Sequence, residues 1–178
     1  MANYISRTRT NYFSVTDTEA YKQLIQNTAS DCGEDLEVIE DDGKLGFLCN
    51  GSVYGIALID GVDVDTILDS DIQDNLTTEE IAALRAIEYM GGIAPKSVAQ
   101  KCDIDFDFTD FVSELSKLIA PDDACIIIES GYEKFRIVEG YAYVVTHDDV
   151  KSIRLTKTAE KLASDMLMNP EWTTKITF

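Results

Sequence analysis

The stretch Asp103-Ile104-Asp105-Phe106-Asp107-Phe108 alternates carboxylates with apolar side chains, a pattern that suggests a specific kind of binding chemistry. In an extended conformation the three aspartates share one face about 6.6 Å apart, because each residue rises roughly 3.3 Å. That separation is comparable to the spacing of successive phosphates on a nucleic-acid strand. Asp63 and Asp65 repeat the arrangement. One interpretation is a carboxylate row that occupies a basic groove built for DNA or RNA. The other is a solvated strand edge that charge protects against aggregation.

The same stretch also partly matches a calcium-binding loop. Asp103, Asp105, Asp107 and Glu114 fall at positions 1, 3, 5 and 12 of that pattern. Position 6, where the loop requires Gly for its sharp turn, is Phe108. We therefore predict no metal at this stretch.

Catalytic residues are equally hard to assign. The four cysteines are far apart, no Cys-x-x-Cys pair exists, and His147 is the single histidine, which argues against zinc and Cys–His chemistry. Paired carboxylates are plentiful, as at Asp63/Asp65 and Asp148/Asp149, but their spacing alone selects no pair. We predict a protein without a cofactor that is not an enzyme. A metal-dependent nuclease or hydrolase that uses the aspartate clusters stays open as an alternative.

The charge of the chain restricts its partners. Its 178 residues include 33 acidic and 15 basic side chains, for a formal net charge of −18. Nucleic acids and anionic membranes attract basic surfaces, so this charge argues against direct binding of either. Residues 60–123 contain 16 acids and 4 bases, which concentrates a net charge of −12 in one segment.

We therefore predict that a basic partner contacts an acidic surface formed mainly by this segment. The predicted members are Asp60, Asp63, Asp65, Asp69, Asp71, Asp74, Glu79, Glu80, Asp103, Asp105, Asp107 and Asp110. Arg7 and Arg9 form a small basic strip near the N-terminus and are candidates for a second contact.

Local patterns predict which elements position these residues. Thr77 and Glu80 have the spacing of a capping box and open a predicted helix that Gly91 ends. Apolar residues recur at helical spacing from Phe108 to Ile119. Strand patterns separated by turn glycines precede and follow this middle region. Together these elements predict an α+β fold.

The order of elements suggests an internal repeat. Gly43 can be aligned with Gly131, and Gly51 with Gly140, if all four mark turns. We therefore expect two similar halves, each a helix, a three-stranded antiparallel meander and a helix. The predicted segments are 1–75, an N-terminal half with an acidic connector; 76–107, a middle helix and linker; and 108–178, a C-terminal half. The chain has no predicted secretory signal or membrane span, so we expect it in the cytoplasm of a bacterial host cell.

Two stretches carry a resemblance to a group of known proteins. Arg9 to Asp17 (RTNYFSVTD) and Glu129 to Tyr141 (ESGYEKFRIVEGY), with Trp172-Thr173-Thr174, resemble small acidic proteins from mobile elements of Firmicutes. Such proteins travel with anti-restriction genes, and some are anti-CRISPR inhibitors. The resemblance implies a counter-defence protein whose partner is a type II CRISPR effector nuclease or its guide-RNA complex. It also leaves open an anti-restriction DNA mimic, and it transfers no functional residue.

Overall fold

A computed structural model of the chain describes residues 4–31, 33–60, 63–68, 70–88, 90–133 and 137–171. The strands are β1 (Tyr4–Thr10), β2 (Ala29–Ser30), β3 (Glu37–Asp41), β4 (Lys44–Asn50), β5 (Val53–Gly55), β6 (Leu58–Ile59), β7 (Gly92–Ile93), β8 (Cys125–Glu133), β9 (Ile137–Val145) and β10 (Val150–Arg154). The helices are α1 (Thr18–Gln26), α2 (Val64–Ile67), α3 (Ser70–Gln73), α4 (Thr78–Glu88), α5 (Lys96–Lys101), α6 (Phe108–Leu118) and α7 (Leu155–Met166). This mixture agrees with the predicted α+β class. Within these ranges, no helix is both long and apolar enough to cross a membrane.

The main sheet is antiparallel, with the strand order β10-β9-β8-β1-β4-β3. The first strand of the chain lies inside it. β1 pairs with β8 from Tyr4 opposite Glu133 to Thr10 opposite Ile127, and with β4 on its other side. β8, β9 and β10 do form a three-stranded meander, but β5 pairs with β2 rather than with β4. The two predicted halves therefore share a single sheet, and the predicted pair of meanders is not confirmed.

The glycines that aligned the two halves occupy different environments. Gly43, with φ +73°, follows Asp42 in the tight turn between β3 and β4, where a positive φ favours glycine. Gly131 and Gly140 instead lie inside β8 and β9, so the turns predicted there are wrong. Gly140 lies beside α7: a Cβ at this position would lie 3.4 Å from the side chain of Leu155, an ordinary van der Waals contact. Strand glycines and turn glycines look alike in a single sequence.

The main core lies between one face of the sheet and the helices α1 and α6. Both helices bury an apolar face, which includes Tyr21 on α1 and Phe111 on α6, and the face of α6 is the one that its spacing predicts. Tyr21 meets Phe13 edge to face at a centroid distance of 5.7 Å, and Phe111 meets Phe47 in the same way at 5.8 Å. These contacts fix the two helices on the sheet. α1 begins with Asp17 as its N-cap, whose carboxylate accepts hydrogen bonds from two helix amides.

A second, smaller core lies in the region we call the acidic insert, residues 57–106. Its buried side chains belong to β6, to the helices α2, α4 and α5 and to the loops beside them, and they include Leu84, Ile59 and Val98. Thr77 and Glu80 form the predicted capping box at the start of α4: the Thr77 amide donates to the Glu80 carboxylate at 2.8 Å, and the Glu80 amide donates to the Thr77 hydroxyl at 3.2 Å. The insert thus has its own apolar centre, which holds its surface carboxylates in place.

Candidate partner-binding surface

The acidic insert has few bases, and all of them are already paired. Residues 57–106 contain eleven acidic and three basic residues, a net charge of −8. Arg85 forms an ion pair with Asp65 and Lys101 with Glu80, both at 2.7 Å. Lys96 pairs with Asp35 outside the insert. No basic side chain of the insert is therefore left to neutralise its other carboxylates.

The predicted alternation at residues 103–108 is present. Asp103, Asp105 and Asp107 are exposed, while Ile104 and Phe106 pack against the core of the insert. The row is less regular than a straight strand, however, because Asp103 has φ +52° and the chain turns there. The packing of Ile104 and Phe106 therefore fixes the segment that carries the exposed carboxylates.

Asp107 has a structural role that the sequence pattern concealed. It is the N-cap of α6, and its carboxylate accepts hydrogen bonds from the amides of Asp110 and Thr109, at 3.1 and 2.5 Å. These hydrogen bonds hold the pKa of Asp107 below its usual range. The outward-facing row is consequently reduced from three carboxylates to two, those of Asp103 and Asp105.

A groove of about 460 Å³ lies beside these two aspartates. Tyr54, Gln100, Asp103 and Asp105 are among its lining residues. Tyr54 is 53% exposed, although its neighbours in β5 are buried. Carboxylates next to an aromatic face match an arginine side chain, which forms ion pairs through its edge and stacks through its plane. Tyr54 is not among the residues that the sequence predicts for this surface, although its place between Val53 and Gly55 in a strand was an available signal.

Asp63 and Asp65 do not form a second extended row. The Asp63 carboxylate accepts a hydrogen bond from the Asp65 amide at 3.0 Å and caps α2, and the Asp65 side chain pairs with Arg85. Glu80 is similarly committed, because its bonds to Lys101 and to the capping box lower its pKa. These three acids therefore stabilise local structure, and their place in the partner-binding surface stays a prediction.

The other predicted members of the acidic surface are distributed over the insert and α6. Asp60, Asp74 and Glu79 are exposed and make no hydrogen bond or ion pair through their side chains within the described structure. Asp110 is half-buried in the first turn of α6. Asp69 and the side chain of Asp71 lie outside the described residues.

Arg7 and Arg9 lie elsewhere, on the face of β1 that points away from the main core. Both are exposed, whereas Thr8 between them is buried. Arg9 is opposite Leu48 on one side and Ile128 on the other. The basic strip thus belongs to the open face of the main sheet and is separate from the acidic insert in the chain and in the fold.

Among the described residues, those that could act in metal binding or nucleophilic catalysis do not lie together. His147 is exposed in the turn between β9 and β10, while Cys49 and Cys125 are buried in strands. Burial raises the pKa of the Cys125 thiol well above its usual range, which disfavours the nucleophilic thiolate. Within the described ranges, no three His, Cys, Asp or Glu side chains are arranged to hold a metal ion. α6 begins at Phe108, so the second half of the calcium-loop pattern is helical.

A second cavity, of about 530 Å³, lies between α1, α6 and the β6–β7 pair. Its lining is mainly apolar, with Gln23 and Asn27 as polar members. Glu114 and Lys117 are its ionisable lining residues, and they pair with each other at 2.6 Å. This cavity marks where the main core and the insert meet, and it brings no reactive group together.

The chain matches no protein-family model, and it has no match among curated proteins or solved structures. Roles for individual residues therefore depend on the geometry described above. That geometry places two exposed carboxylates, those of Asp103 and Asp105, beside Tyr54 in one groove.

Proposed function

We propose that this protein is an anti-CRISPR inhibitor that binds a type II RNA-guided effector nuclease through its acidic insert. Guide binding, target-DNA binding or cleavage would be blocked as a result. The observation that supports this most is the charge imbalance of the insert, whose three bases are all paired while Asp103 and Asp105 remain exposed beside Tyr54.

The physical basis is occupation of a basic channel. Type II effectors hold a guide–target heteroduplex in a positively charged channel and read a short DNA motif with arginines. Carboxylates fixed on a packed insert can meet those arginines without ordering a flexible segment first, which limits the entropy lost on binding. A net charge of −18 additionally speeds encounter with a basic surface.

The acidic charge favours basic partners in general. The resemblance to counter-defence proteins is what selects type II effector nucleases among them. The residues that carry it have structural roles in the described chain: Phe13 is buried in the main core, and Asp17 caps α1. The proposed target, a type II effector, therefore rests on the resemblance, whereas the proposed contact surface rests on the geometry. An anti-restriction DNA mimic would use the same surface chemistry against a restriction enzyme.

The test is a cleavage assay with a purified type II effector, its guide RNA and target DNA. The wild-type protein is expected to inhibit, and the variant Asp103→Asn/Asp105→Asn to inhibit at least about tenfold less well, because ion pairs in a desolvated groove are lost. Asparagine keeps the side-chain shape and tolerates the positive φ of residue 103. The matched control is Glu37→Gln/Asp122→Asn, which removes two exposed charges outside the insert.

Three outcomes separate the candidates. Inhibition that the Asp103/Asp105 variant loses and the control keeps supports the proposal. Inhibition that both variants keep places the contact elsewhere. A wild-type protein that leaves type II effectors active but captures a restriction enzyme would assign the acidic insert to the alternative target.

A further inference from the structure

The last helix carries an apolar stripe that the described structure leaves uncovered. Leu155, Leu162 and Met166 lie on one face of α7 and are 61, 59 and 76% exposed, and none of the helix is buried. A helix of twelve residues has marginal stability in water unless its apolar face packs against another surface. The stripe therefore requires something to cover it.

The adjoining face of the main sheet extends this uncovered surface. Ile128 and Ile153 flank Ala142 in neighbouring strands and are 54 and 46% exposed. Leu155 lies against Gly140 on the same face of the sheet, so α7 begins at the edge of this exposed apolar surface. An exposed apolar surface of this kind marks an interaction site in a soluble protein.

The charge of this part of the chain favours a second copy of the same molecule as the occupant. Residues 124–178 hold eight acids and seven bases, a net charge of −1, while the rest of the chain carries −17. Two molecules of net charge −18 repel each other least when they meet through their near-neutral parts. The acidic insert lies outside this part of the sequence.

The edge of the stripe has charges that complement themselves. Lys161 and Asp165 lie on α7 four residues apart, with Nζ and Oδ2 separated by 3.6 Å. Both residues are two positions from Ala163. If the two stripes face each other antiparallel and the helices cross at the axial level of Ala163, Lys161 of each copy lies level with Asp165 of the other, on the side of the stripe that Asp165 borders. A groove of about 530 Å³ lined by Lys161, Asp165 and Met168 adjoins this edge and offers room for facing side chains.

We propose that α7 pairs antiparallel with α7 of a second copy, so that the chain forms a symmetric dimer through the two apolar stripes. Such an interface is isologous: each copy contributes the same surface, and the contacts occur twice. The Lys161 and Asp165 ion pairs fix the direction of the helices, and Leu162 and Met166 supply the apolar contact.

The test is sedimentation equilibrium of the full chain at micromolar concentrations. The wild-type chain is expected to be a dimer, and Leu162→Glu/Met166→Glu to dissociate at least about tenfold more readily, because charges would be buried in the interface. Met90→Glu is the matched control, since Met90 is 83% exposed but lies in the insert. Circular dichroism checks that each variant keeps the wild-type fold.

A charge exchange tests the orientation independently of the apolar contacts. Lys161→Asp should weaken the dimer, and adding Asp165→Lys should restore it, because the exchanged charges again face each other. A monomeric wild-type chain would overturn the proposal, as would a dimer that Leu162→Glu/Met166→Glu leaves intact. If the full chain is monomeric and a chain that ends at Glu171 dimerises, the occupant is the terminal segment and the proposal is wrong.

Discussion

Ile56 and Asp107 exchange two backbone hydrogen bonds, with the Ile56 amide donating at 3.2 Å and the Asp107 amide donating at 2.9 Å. The acidic insert begins immediately after the first residue and ends immediately before the second. Its two ends are therefore joined at the base, and the chain returns to the main core where it left. This closure lets the main core and the candidate binding surface be tested separately.

Removing the insert should leave a folded protein. Two residues that exchange both backbone hydrogen bonds can be joined by a two-residue turn, so Asn-Gly can replace residues 57–106 between Ile56 and Asp107. We expect cooperative urea unfolding with a smaller m value, because less surface is exposed on unfolding. Inhibition of the nuclease should be lost. An excised chain that unfolds without a cooperative transition would show that the main core depends on the insert.

The junction itself should tolerate no side chain at Gly55. This glycine has φ +114°, and a Cβ there would overlap the carbonyl group of Asp107. We expect Gly55→Ala to lower the free energy of unfolding by about 3 kcal/mol, combining backbone strain with overpacking. Gly33→Ala is the control: Gly33 also has a positive φ, +72°, but nothing lies within 4 Å of its added Cβ. Its cost should be about 1 kcal/mol. Equal costs in chemical denaturation would contradict the close contact.

Glu80 should matter more to stability than its neighbour Glu79. The Glu80 carboxylate bonds both the Thr77 amide and Lys101, so Glu80→Ala removes the capping box and the ion pair together. We expect Tm to fall by about 2–4 °C, a typical effect of losing a cap in a chain of this size. Glu79→Ala, which removes an exposed carboxylate without such contacts, should leave Tm nearly unchanged. Glu80→Gln, which can still complete the box, should fall between them.

Local signals in the sequence predicted the parts of the fold that local physics determines. The capping box at Thr77 and Glu80 is present, and the apolar spacing from Phe108 onward marks the buried face of α6. Strand order was not accessible in this way. β1 lies between β8 and β4 because of long-range pairing, and no periodicity within β1 specifies those partners.

Only part of the candidate site could be predicted, because local patterns show which side chains face outward but not which distant residues meet them. The alternation of Asp103, Ile104 and Asp105 predicted which side chains face outward, and they do. The sequence did not reveal that Asp107 would be engaged as the cap of α6, since a cap and a free carboxylate look identical before the helix start is known. Tyr54 was missed because it comes from a distant strand and meets the aspartates only in the folded chain.

Stability should decline in acid through Asp123. Its carboxylate accepts a hydrogen bond from Lys44 at 2.8 Å, which, with bonds from the Ala124 and Ser14 amides, holds its pKa well below the usual range. The unfolded chain then takes up the proton first as pH falls, so this contribution is complete above the ordinary aspartate pKa of about 3.9 and is lost below it. Asp123→Asn should therefore reduce the dependence of the urea midpoint on pH below about pH 5, where this contribution is lost, and leave it unchanged nearer neutral pH. The control Asp122→Asn removes an exposed carboxylate next to Asp123 that makes none of these hydrogen bonds.

Tyr54 and the two free aspartates should contribute to binding in different ways. Ion pairs made by Asp103 and Asp105 weaken as salt screens them, whereas stacking of an arginine on the Tyr54 ring depends much less on salt. We expect Tyr54→Ala to weaken binding of the effector about three- to tenfold at both low and high salt. The Asp103→Asn/Asp105→Asn variant should lose most affinity at low salt and approach the wild type at high salt. Surface plasmon resonance over a salt series measures both effects.

The Tyr54 prediction has a direct control in Tyr54→Phe. Phenylalanine keeps the aromatic face but removes the hydroxyl, so affinity should stay close to that of the wild type if stacking is the contact. Tyr54 is 53% exposed, so neither variant should change Tm appreciably. Equal losses in Tyr54→Phe and Tyr54→Ala would instead assign the contact to the hydroxyl group. Full affinity in Tyr54→Ala, combined with a loss in the aspartate variant, would limit the site to its carboxylates and contradict the arginine-stacking geometry of the groove.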